Sequence, residues 1–115
     1  MAKYRRINRE KSIRRSILAG LTKTVLEVGY VETTEERAKE VRKFVDKMVT
    51  YGKKNDLVSR RLALSFLNND SELVKKLFNE IAPTYSDRNG GYTRIIKLKE
   101  RRGDDALIVR LELVK

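Results

Sequence analysis

The sequence predicts an α+β fold of two layers, with helices packed on one face of a small mixed sheet. Before residue 90, apolar residues recur mainly at intervals of three and four, which is typical of amphipathic helices. After residue 90 the apolar period changes to two, and a glycine-containing loop separates two such runs, which is typical of a β-hairpin. The predicted order is a helix, a short strand, three helices and a C-terminal hairpin.

The first predicted helix follows a strongly basic segment. Asn8 is a candidate N-cap, and Gly29 is a candidate for the residue that follows the last turn. We interpret residues 1–12 as a basic arm without a core of its own, and residues 13–115 as a single α+β domain. The apolar stripe of the helix consists of Ile13, Ile17, Leu21, Val25 and Val28.

The second predicted helix begins with a capping-box pattern. Thr33 would cap the helix while the side chain of Glu36 bonds back to the capping residue, and Gly52 would end the helix. The segment YVET, at residues 30–33, is predicted to form the short strand before it.

The third and fourth predicted helices each follow polar residues that can cap them. Residues 55–56 would cap the third, which is apolar on almost every side except near Arg60 and Arg61, a pattern that indicates a largely buried helix. Residues 69–70 would start the fourth, and Pro83 would end it because proline cannot continue a helix.

Composition limits the possible functions. The chain has 115 residues, enough for one domain with a modest core, and 27 Lys and Arg residues against 16 Asp and Glu give a net charge of +11. This excess favours polyanionic partners, nucleic acid before an anionic membrane surface. The absence of cysteine and histidine excludes zinc sites built from these residues and nucleophiles that need a histidine base. No apolar run approaches the ~20 residues of a membrane span and no signal-peptide pattern is present, so a cytoplasmic location is expected.

The basic residues form several groups in which arginine predominates. Arginine presents a planar fork that fits phosphate and can stack on bases, so we predict that these groups contact nucleic acid, whereas a solvated face is the alternative for each group alone. One group covers the arm and the start of the first helix: Lys3, Tyr4, Arg5, Arg6, Arg9, Lys11, Arg14 and Arg15. The others are Arg60 and Arg61 in the third helix, Arg101 and Arg102 in the hairpin loop, and the set Arg88, Asn89, Gly90, Gly91, Tyr92 and Arg94.

The segment SDRNGGYTR, residues 86–94, places two adjacent glycines between two arginines. The glycine pair allows positive φ and close approach of the backbone, and such turns can form an anion-binding nest. Arg88 and Arg94 flank the pair, and Tyr92 is predicted to stack on an unpaired base. A tight turn that only directs the following strand is the alternative, and both interpretations can hold together.

Enzymatic and DNA-reading functions have little support in the sequence. Neither of the glycine-rich nucleotide-binding motifs is present. Asp104 and Asp105 could bind Mg²⁺ in a small nuclease, but adjacent carboxylates in a loop rarely converge on one ion, so a solvated turn is favoured. A module that reads duplex DNA is expected to have a helix with a polar, base-reading face, and no predicted helix has a clear one.

Four segments, in one order and with compatible spacing, resemble a known family: ETTEERAKEVRKFVDKMVTYGKKNDLVSRRLALSFL, VKKLFNEIAP, RNGGYTRIIKL and RRGD. They are similar to the bacterial large-subunit ribosomal protein family numbered seventeen, and the similarity runs from about Asn8 to Val114. The family usually opens with a longer basic arm that often contains histidine, where this chain has MAKYRRINREKS.

The resemblance implies a one-domain fold with a helix, a short strand, three helices and two strands. It also implies a structural component of the large ribosomal subunit that binds 23S ribosomal RNA, lies among other ribosomal proteins and has no catalytic role. We expect the free chain to be a monomer without a cofactor, metal, membrane or small-molecule substrate. A nucleic-acid-binding module outside the ribosome is the alternative.

Overall fold

The computed structural model describes residues 2–100, 103 and 106–114, with the side chains of residues 13–100, 103 and 106–114. Within this part the chain forms α1 (Ala2–Val28), β1 (Tyr30–Thr34), α2 (Glu35–Lys54), α3 (Leu57–Phe66), α4 (Ser71–Lys76), a π-helical turn (Leu77–Ile81), α5 (Ala82–Thr84), β2 (Thr93–Glu100) and β3 (Leu107–Leu113). The π-helical turn joins α4 and α5 into one helical segment, so the predicted order of elements is confirmed.

The three strands form a sheet in the order β1-β3-β2, and both pairs of neighbours are antiparallel. Tyr30 of β1 and Arg94 of β2 both lie opposite Glu112 of β3. The prediction of a mixed sheet was therefore wrong. β1 and β2 do run in the same direction, but the second strand of the hairpin lies between them, so the two parallel strands are not neighbours.

The helices cover one face of the sheet, as predicted. Val31, Leu111 and Ile95 are cross-strand neighbours on that face, and α2 contacts all three strands. On the other face, Arg94 and the residues of β2 that alternate with it along the strand are exposed. The core joins the covered face to buried helical side chains, which include Leu26, Val41, Val45, Met48, Leu67 and Leu77.

α1 is longer and less buried than the sequence predicted. It begins at Ala2 rather than after Asn8, because its first turns contain many good helix formers and neither proline nor glycine. Gly29 follows it with a φ of 103°, and its N–H donates to the Val25 carbonyl at 2.8 Å, which confirms the predicted end. The helix packs into the core mainly from Leu18 onward. Three residues of the predicted stripe are exposed: Ile13, Ile17 and Val28.

The ends of α2 differ from the prediction. Its N-cap is Thr34 rather than Thr33, and the Thr34 side chain makes no capping hydrogen bond. The helix continues through Gly52 to Lys54, and its C-cap is Asn55, which adopts a left-handed conformation with a φ of 51°. Gly52 serves packing instead, since a Cβ atom there would lie only 2.6 Å from the Cβ of Ala82 in α5.

Aspartate caps α3 and α4, as predicted. The Asp56 carboxylate accepts the N–H of Ser59 at 2.7 Å, and the Asp70 carboxylate accepts the N–H of Leu73 at 3.1 Å. Each bond stabilises the ionised form of the side chain, so the pKa of both carboxyl groups lies below its usual value.

α3 was predicted to be largely buried, and this prediction was wrong. Among its residues, Ser59 and Ala63 are buried, whereas three large apolar side chains are exposed: Leu57 (63%), Val58 (64%) and Leu62 (48%). α3 lies at the edge of the helical layer with contacts to α2 and α4, so one side of the helix has no covering element among the described residues.

The helical segment after residue 71 continues past the point where the sequence predicted its end. In the π-helical turn the Ala82 N–H donates to the Leu77 carbonyl, five residues earlier. Pro83 then lies in the first turn of α5, where a proline is tolerated. The extra residue of the π-helical turn thus lets the chain remain helical through Pro83.

Candidate nucleic-acid interface

The Gly-Gly loop, defined here as residues 85–92, joins the helical layer to β2 and is fixed at both ends. The N–H of Arg88 donates to the Tyr85 carbonyl at 3.0 Å. The Tyr85 hydroxyl donates to the carbonyl of Val114, and the N–H of Val114 donates to the Tyr92 carbonyl at 2.8 Å. The loop is therefore attached to the end of β3 at its first and last residues.

Lys53, in the last turn of α2, supports the middle of the loop. Its ammonium group donates to the Arg88 carbonyl and, at 3.0 Å, to the Tyr92 hydroxyl, and it lies 5.3 Å from the centroid of the Tyr92 ring. The Tyr92 hydroxyl donates in turn to the Arg88 carbonyl at 3.3 Å. One lysine thus connects the end of α2 to two residues of the loop.

Tyr92, predicted to stack on a base, lies in the core. It is 3% exposed and packs edge-on against Tyr85, with 5.4 Å between the ring centroids. Burial also raises the pKa of the Tyr85 hydroxyl, although the positive charge of Arg88 has a smaller, lowering effect on this pKa. A ring with so little exposure has no free face for a base, so we assign Tyr92 to the support of the loop.

The glycine pair adopts the backbone conformation that the sequence predicted. Gly90 and Gly91 have φ angles of 153° and 63°, and both are exposed, as is Asn89. A Cβ atom built on either glycine would meet no heavy atom within 4 Å. Glycine is therefore required by the backbone angles, and the space beside the backbone is open.

The two arginines that flank the glycine pair already bind protein oxygens. Arg88 donates to the Gly91 carbonyl at 3.1 Å, and Arg94 pairs with Glu112 on the neighbouring strand. Each guanidinium group carries five N–H donors, so both arginines retain donors for a further acceptor.

The arginine pair of α3 is divided in its contacts. Arg60 donates to the Asn55 side chain at 3.3 Å, and its guanidinium carbon lies 4.9 Å from the centroid of the Phe78 ring. Arg61 is exposed, and its side chain has no hydrogen bond or ion pair in the described part of the chain.

A depression of about 340 Å³ lies between α1, α2 and α3, and we call it the basic depression. Arg14 and Arg15 of α1 and Lys47 of α2 line it, and none of its lining residues within the described ranges is acidic. Arg14 pairs with Glu40 of α2, whereas Arg15 is exposed and has no ion pair with any described residue. The structure thus brings the predicted α1 arginines together with a lysine of α2.

Aromatic side chains also line the basic depression. Phe44 of α2 and Phe66 of α3 stack there, with 5.0 Å between the ring centroids and 20° between the ring planes. Ser65 of α3 lines it as well, and Arg61 lies one helical turn before Ser65 on the same helix. Arg61 therefore lies near the surface that Arg14 and Arg15 line.

Several predicted contact residues lie where the structure describes the backbone alone or nothing. The side chains of the arm are outside the described residues: Lys3, Tyr4, Arg5, Arg6, Arg9 and Lys11. Arg101 and Arg102, and the candidate metal ligands Asp104 and Asp105, are also outside them. Their roles stay predictions.

Sequence reasoning missed four residues that shape these surfaces. Lys53 and Lys47 belong to an ordinary amphipathic helix, and no local pattern distinguishes them from solvated lysines. Phe44 and Phe66 are aromatic residues at helical spacing, which usually indicates a core position. Only the packing of α2 against α3 shows that the two rings meet at the surface.

Asp46 is a half-buried carboxylate on α2. Burial raises the pKa of its carboxyl group, against smaller opposing effects of Arg42 and of the Tyr92 backbone. Its Oδ1 atom has no hydrogen-bond partner among the described residues, which agrees with a destabilised carboxylate.

Membrane-spanning and metal-binding features are both missing from the described residues. No helix in this part of the chain is long and apolar enough to cross a membrane. No group of three or more acidic side chains within it is arranged to hold a metal ion, and the sequence has neither histidine nor cysteine.

The fold and surface define a small basic α+β protein that presents arginine and lysine from a loop and from three helices. Residues 17–114 match the family model of ribosomal protein L17. Relatives called large ribosomal subunit protein bL17 include that of Fusobacterium nucleatum, 51% identical over 96% of this chain and 95% of the relative. Those of a Thermoanaerobacter species and of Clostridium botulinum are 53% and 50% identical, over 96% and 99% of this chain and 98% and 100% of their own lengths. The chain belongs to the ribosomal protein L17 family.

This family membership agrees with the resemblance found in the sequence motifs. Proteins of the family are structural ribosomal proteins and not enzymes, so the nuclease interpretation is rejected.

Proposed function

We propose that the chain is a structural constituent of the large ribosomal subunit in the cytoplasm, where it binds large-subunit ribosomal RNA and neighbouring ribosomal proteins. The strongest support for RNA binding is the backbone of the glycine pair, which is exposed and flanked by two arginines, and beside which even a built Cβ atom would meet no heavy atom within 4 Å. Exposed N–H groups between cations suit a phosphate, because nothing blocks its approach.

In this proposal, two cationic surfaces contact the ribosomal RNA. The Gly-Gly loop contributes Arg88, Asn89 and the glycine backbone, together with Arg94, which follows the loop in β2. The helical surface contributes Arg14, Arg15, Arg60 and Arg61, extended by the basic residues of segment 1–12. Arg101 and Arg102 would add a third contact at the hairpin loop.

The glycine pair provides the test of the loop. Gly91→Val introduces strain of about 1–3 kcal/mol at a φ of 63° and also blocks the open side of the backbone. Gly29→Val, at a φ of 103° with no neighbour within 4 Å, introduces similar strain at the end of α1 and serves as the matched control. We expect both variants to melt earlier, but only Gly91→Val to lose affinity for a large-subunit RNA fragment at temperatures where both are folded.

Arg94→Ala completes the test because it changes no backbone angle. Loss of a charge-assisted contact should weaken RNA binding by about 1–3 kcal/mol. If Gly91→Val and Arg94→Ala bind RNA like the parent, the segment serves only as a turn and the loop part of the proposal is wrong.

Incorporation into the subunit is tested separately. A tagged chain expressed in bacteria should co-sediment with large subunits in a sucrose gradient. A chain that stays at the top of the gradient, or that binds duplex DNA as tightly as ribosomal RNA, would favour a nucleic-acid-binding module outside the ribosome.

A further inference from the structure

The basic depression combines aromatic rings with cationic side chains. It is lined by a stacked pair of aromatic rings, Phe44 and Phe66, and it is bordered by cations from two different helices. Its volume of about 340 Å³ lies within the range of about 300–1,000 Å³ that is typical of sites for small organic groups. The site is thus large enough for a planar group and charged for an anion.

A neighbouring depression between α1 and the start of α2 provides a contrast. It has a similar volume, about 430 Å³, but its two cations, Arg14 and Arg37, are matched by two carboxylates, Glu36 and Glu40. Two carboxylates there oppose an anionic ligand, whereas the described lining of the basic depression has none. Charge therefore distinguishes two depressions of comparable size.

We propose that the basic depression holds one unpaired RNA base, with the flanking phosphates on Arg15 and Lys47. Aromatic rings are the usual platform for unstacked bases, and a nearly parallel pair offers the planar apolar surroundings that a base requires. Arg15 lies on α1 and Lys47 on α2, so a strand that crosses the depression meets a cation from each helix. This inference rests on the proposed RNA binding and assigns a base-binding role to residues outside the arginine groups.

Charge disfavours a protein segment as the occupant. A basic segment would be repelled by Arg15 and Lys47, and an apolar segment would leave the charges of these two residues uncompensated. An acidic segment with an aromatic side chain is the remaining competitor, and the experiment distinguishes it from RNA.

The test uses the full chain and two short single-stranded RNAs, an oligoadenylate and an abasic oligomer with the same number of phosphates. Stacking of one base on an aromatic side chain makes a difference of about fivefold or more. We therefore expect the oligoadenylate to bind at least fivefold more tightly than the abasic oligomer, as measured by fluorescence anisotropy. The NMR resonance of the Met48 methyl group should shift when the oligoadenylate is added, but not when the abasic oligomer is added.

Variants locate the preference. Phe66→Leu keeps an apolar side chain but removes one ring, and it should abolish the preference for the oligoadenylate without changing affinity for the abasic oligomer. Ser65→Ile places a larger side chain at an exposed position that lines the depression, and it should also abolish the preference for the oligoadenylate. This second variant keeps the test decisive if Phe66→Leu does not fold. Ile96→Ala, on the open face of the sheet, should retain the preference.

Equal affinity of the parent chain for the two RNAs would overturn the inference, as would a preference that survives both Phe66→Leu and Ser65→Ile. Displacement of the oligoadenylate from the depression by an acidic, aromatic peptide at lower concentration would assign the site to a protein partner instead. Co-sedimentation with large subunits is measured independently of the preference for the oligoadenylate. Loss of the base-binding inference therefore leaves the proposed ribosomal function standing, and failure to co-sediment can be recognised separately.

Discussion

The Gly-Gly loop and the basic depression are both cationic, but they are constructed differently. In and beside the loop, Arg88 and Arg94 bind protein oxygens, and Lys53 of α2 binds the Arg88 carbonyl and the Tyr92 hydroxyl. Around the depression, Arg15 has no ion pair among the described residues, and Lys47 has only the ring of Tyr51, 5.9 Å from its ammonium nitrogen. The loop is a fixed backbone shape, whereas the depression presents free charge.

This difference indicates which physical term each surface contributes to binding. A guanidinium group that already has a carboxylate partner gains less from a phosphate, since part of its charge is compensated. An unpaired one gains the full electrostatic attraction and releases counterions. We therefore expect the loop to act through geometry and the helical surface through salt-dependent affinity.

The largest expected effect concerns the support of the loop. Gly52→Ala places a methyl group 2.6 Å from the Cβ of Ala82, which has no flexible atoms to move, so α2 and α5 must separate. We expect a loss of about 1–3 kcal/mol in the free energy of unfolding, measured by urea denaturation.

Gly20→Ala is the matched control in the interior of α1. A Cβ atom there meets nothing within 4 Å, so the substitution should stabilise the protein by about 0.5–1 kcal/mol. Equal effects of the two substitutions would contradict the close approach of α2 and α5.

Lys53→Met should produce the next largest effect and should act on the loop. The variant removes the donor to the Arg88 carbonyl and to the Tyr92 hydroxyl, with an expected cost of about 1 kcal/mol for a partly exposed charged bond. Hydrogen exchange of the Arg88 and Val114 amides should accelerate more than that of α2. Lys54→Met removes the same charge at an exposed neighbouring position and should leave both amides unchanged.

The salt dependence of RNA affinity should distinguish arginines without an ion pair from those that have one. Arg15→Gln and Arg61→Gln should change the free energy of unfolding by less than about 0.5 kcal/mol, while each lowers the slope of log affinity against log salt by about 1. Arg94→Gln should lower the slope by less, because Glu112 already compensates part of its charge. Identical slope changes for Arg94 and Arg15 would remove the distinction between the two surfaces.

The smallest effects are expected from pH. The pKa of Asp56 and of Asp70 is lowered in the folded state, so their contribution to stability is present above their usual value and is lost as the pH falls below about 4. The pKa of Asp46 is raised, so its contribution has the opposite sign and is lost as the pH rises through the raised value.

Melting temperatures between about pH 3 and 6 test both signs. Asp70→Asn should weaken the acid-side decline, and Asp46→Asn should gain stability relative to the parent as the pH rises across this range. A parent-like pH profile for Asp46→Asn would contradict the raised pKa.

Local features of the sequence predicted much of the fold. Gly29, Gly90 and Gly91 have positive φ, and Asp56 and Asp70 cap their helices, because these preferences depend on the residue and its immediate neighbours. The order of elements followed from the apolar periods for the same reason. The net charge indicates a polyanionic partner whatever the fold, because it is a property of composition alone.

Tertiary structure decided what depends on the meeting of distant segments. The insertion of β3 between β1 and β2, the contact of Gly52 with Ala82 and the burial of Tyr92 each join residues far apart in the chain. The same holds for the basic depression, where Arg15, Phe44 and Phe66 come from three helices. A periodic pattern shows which residues of one element share a face, but the free energy of packing determines which face is covered, and that depends on the whole set of elements at once.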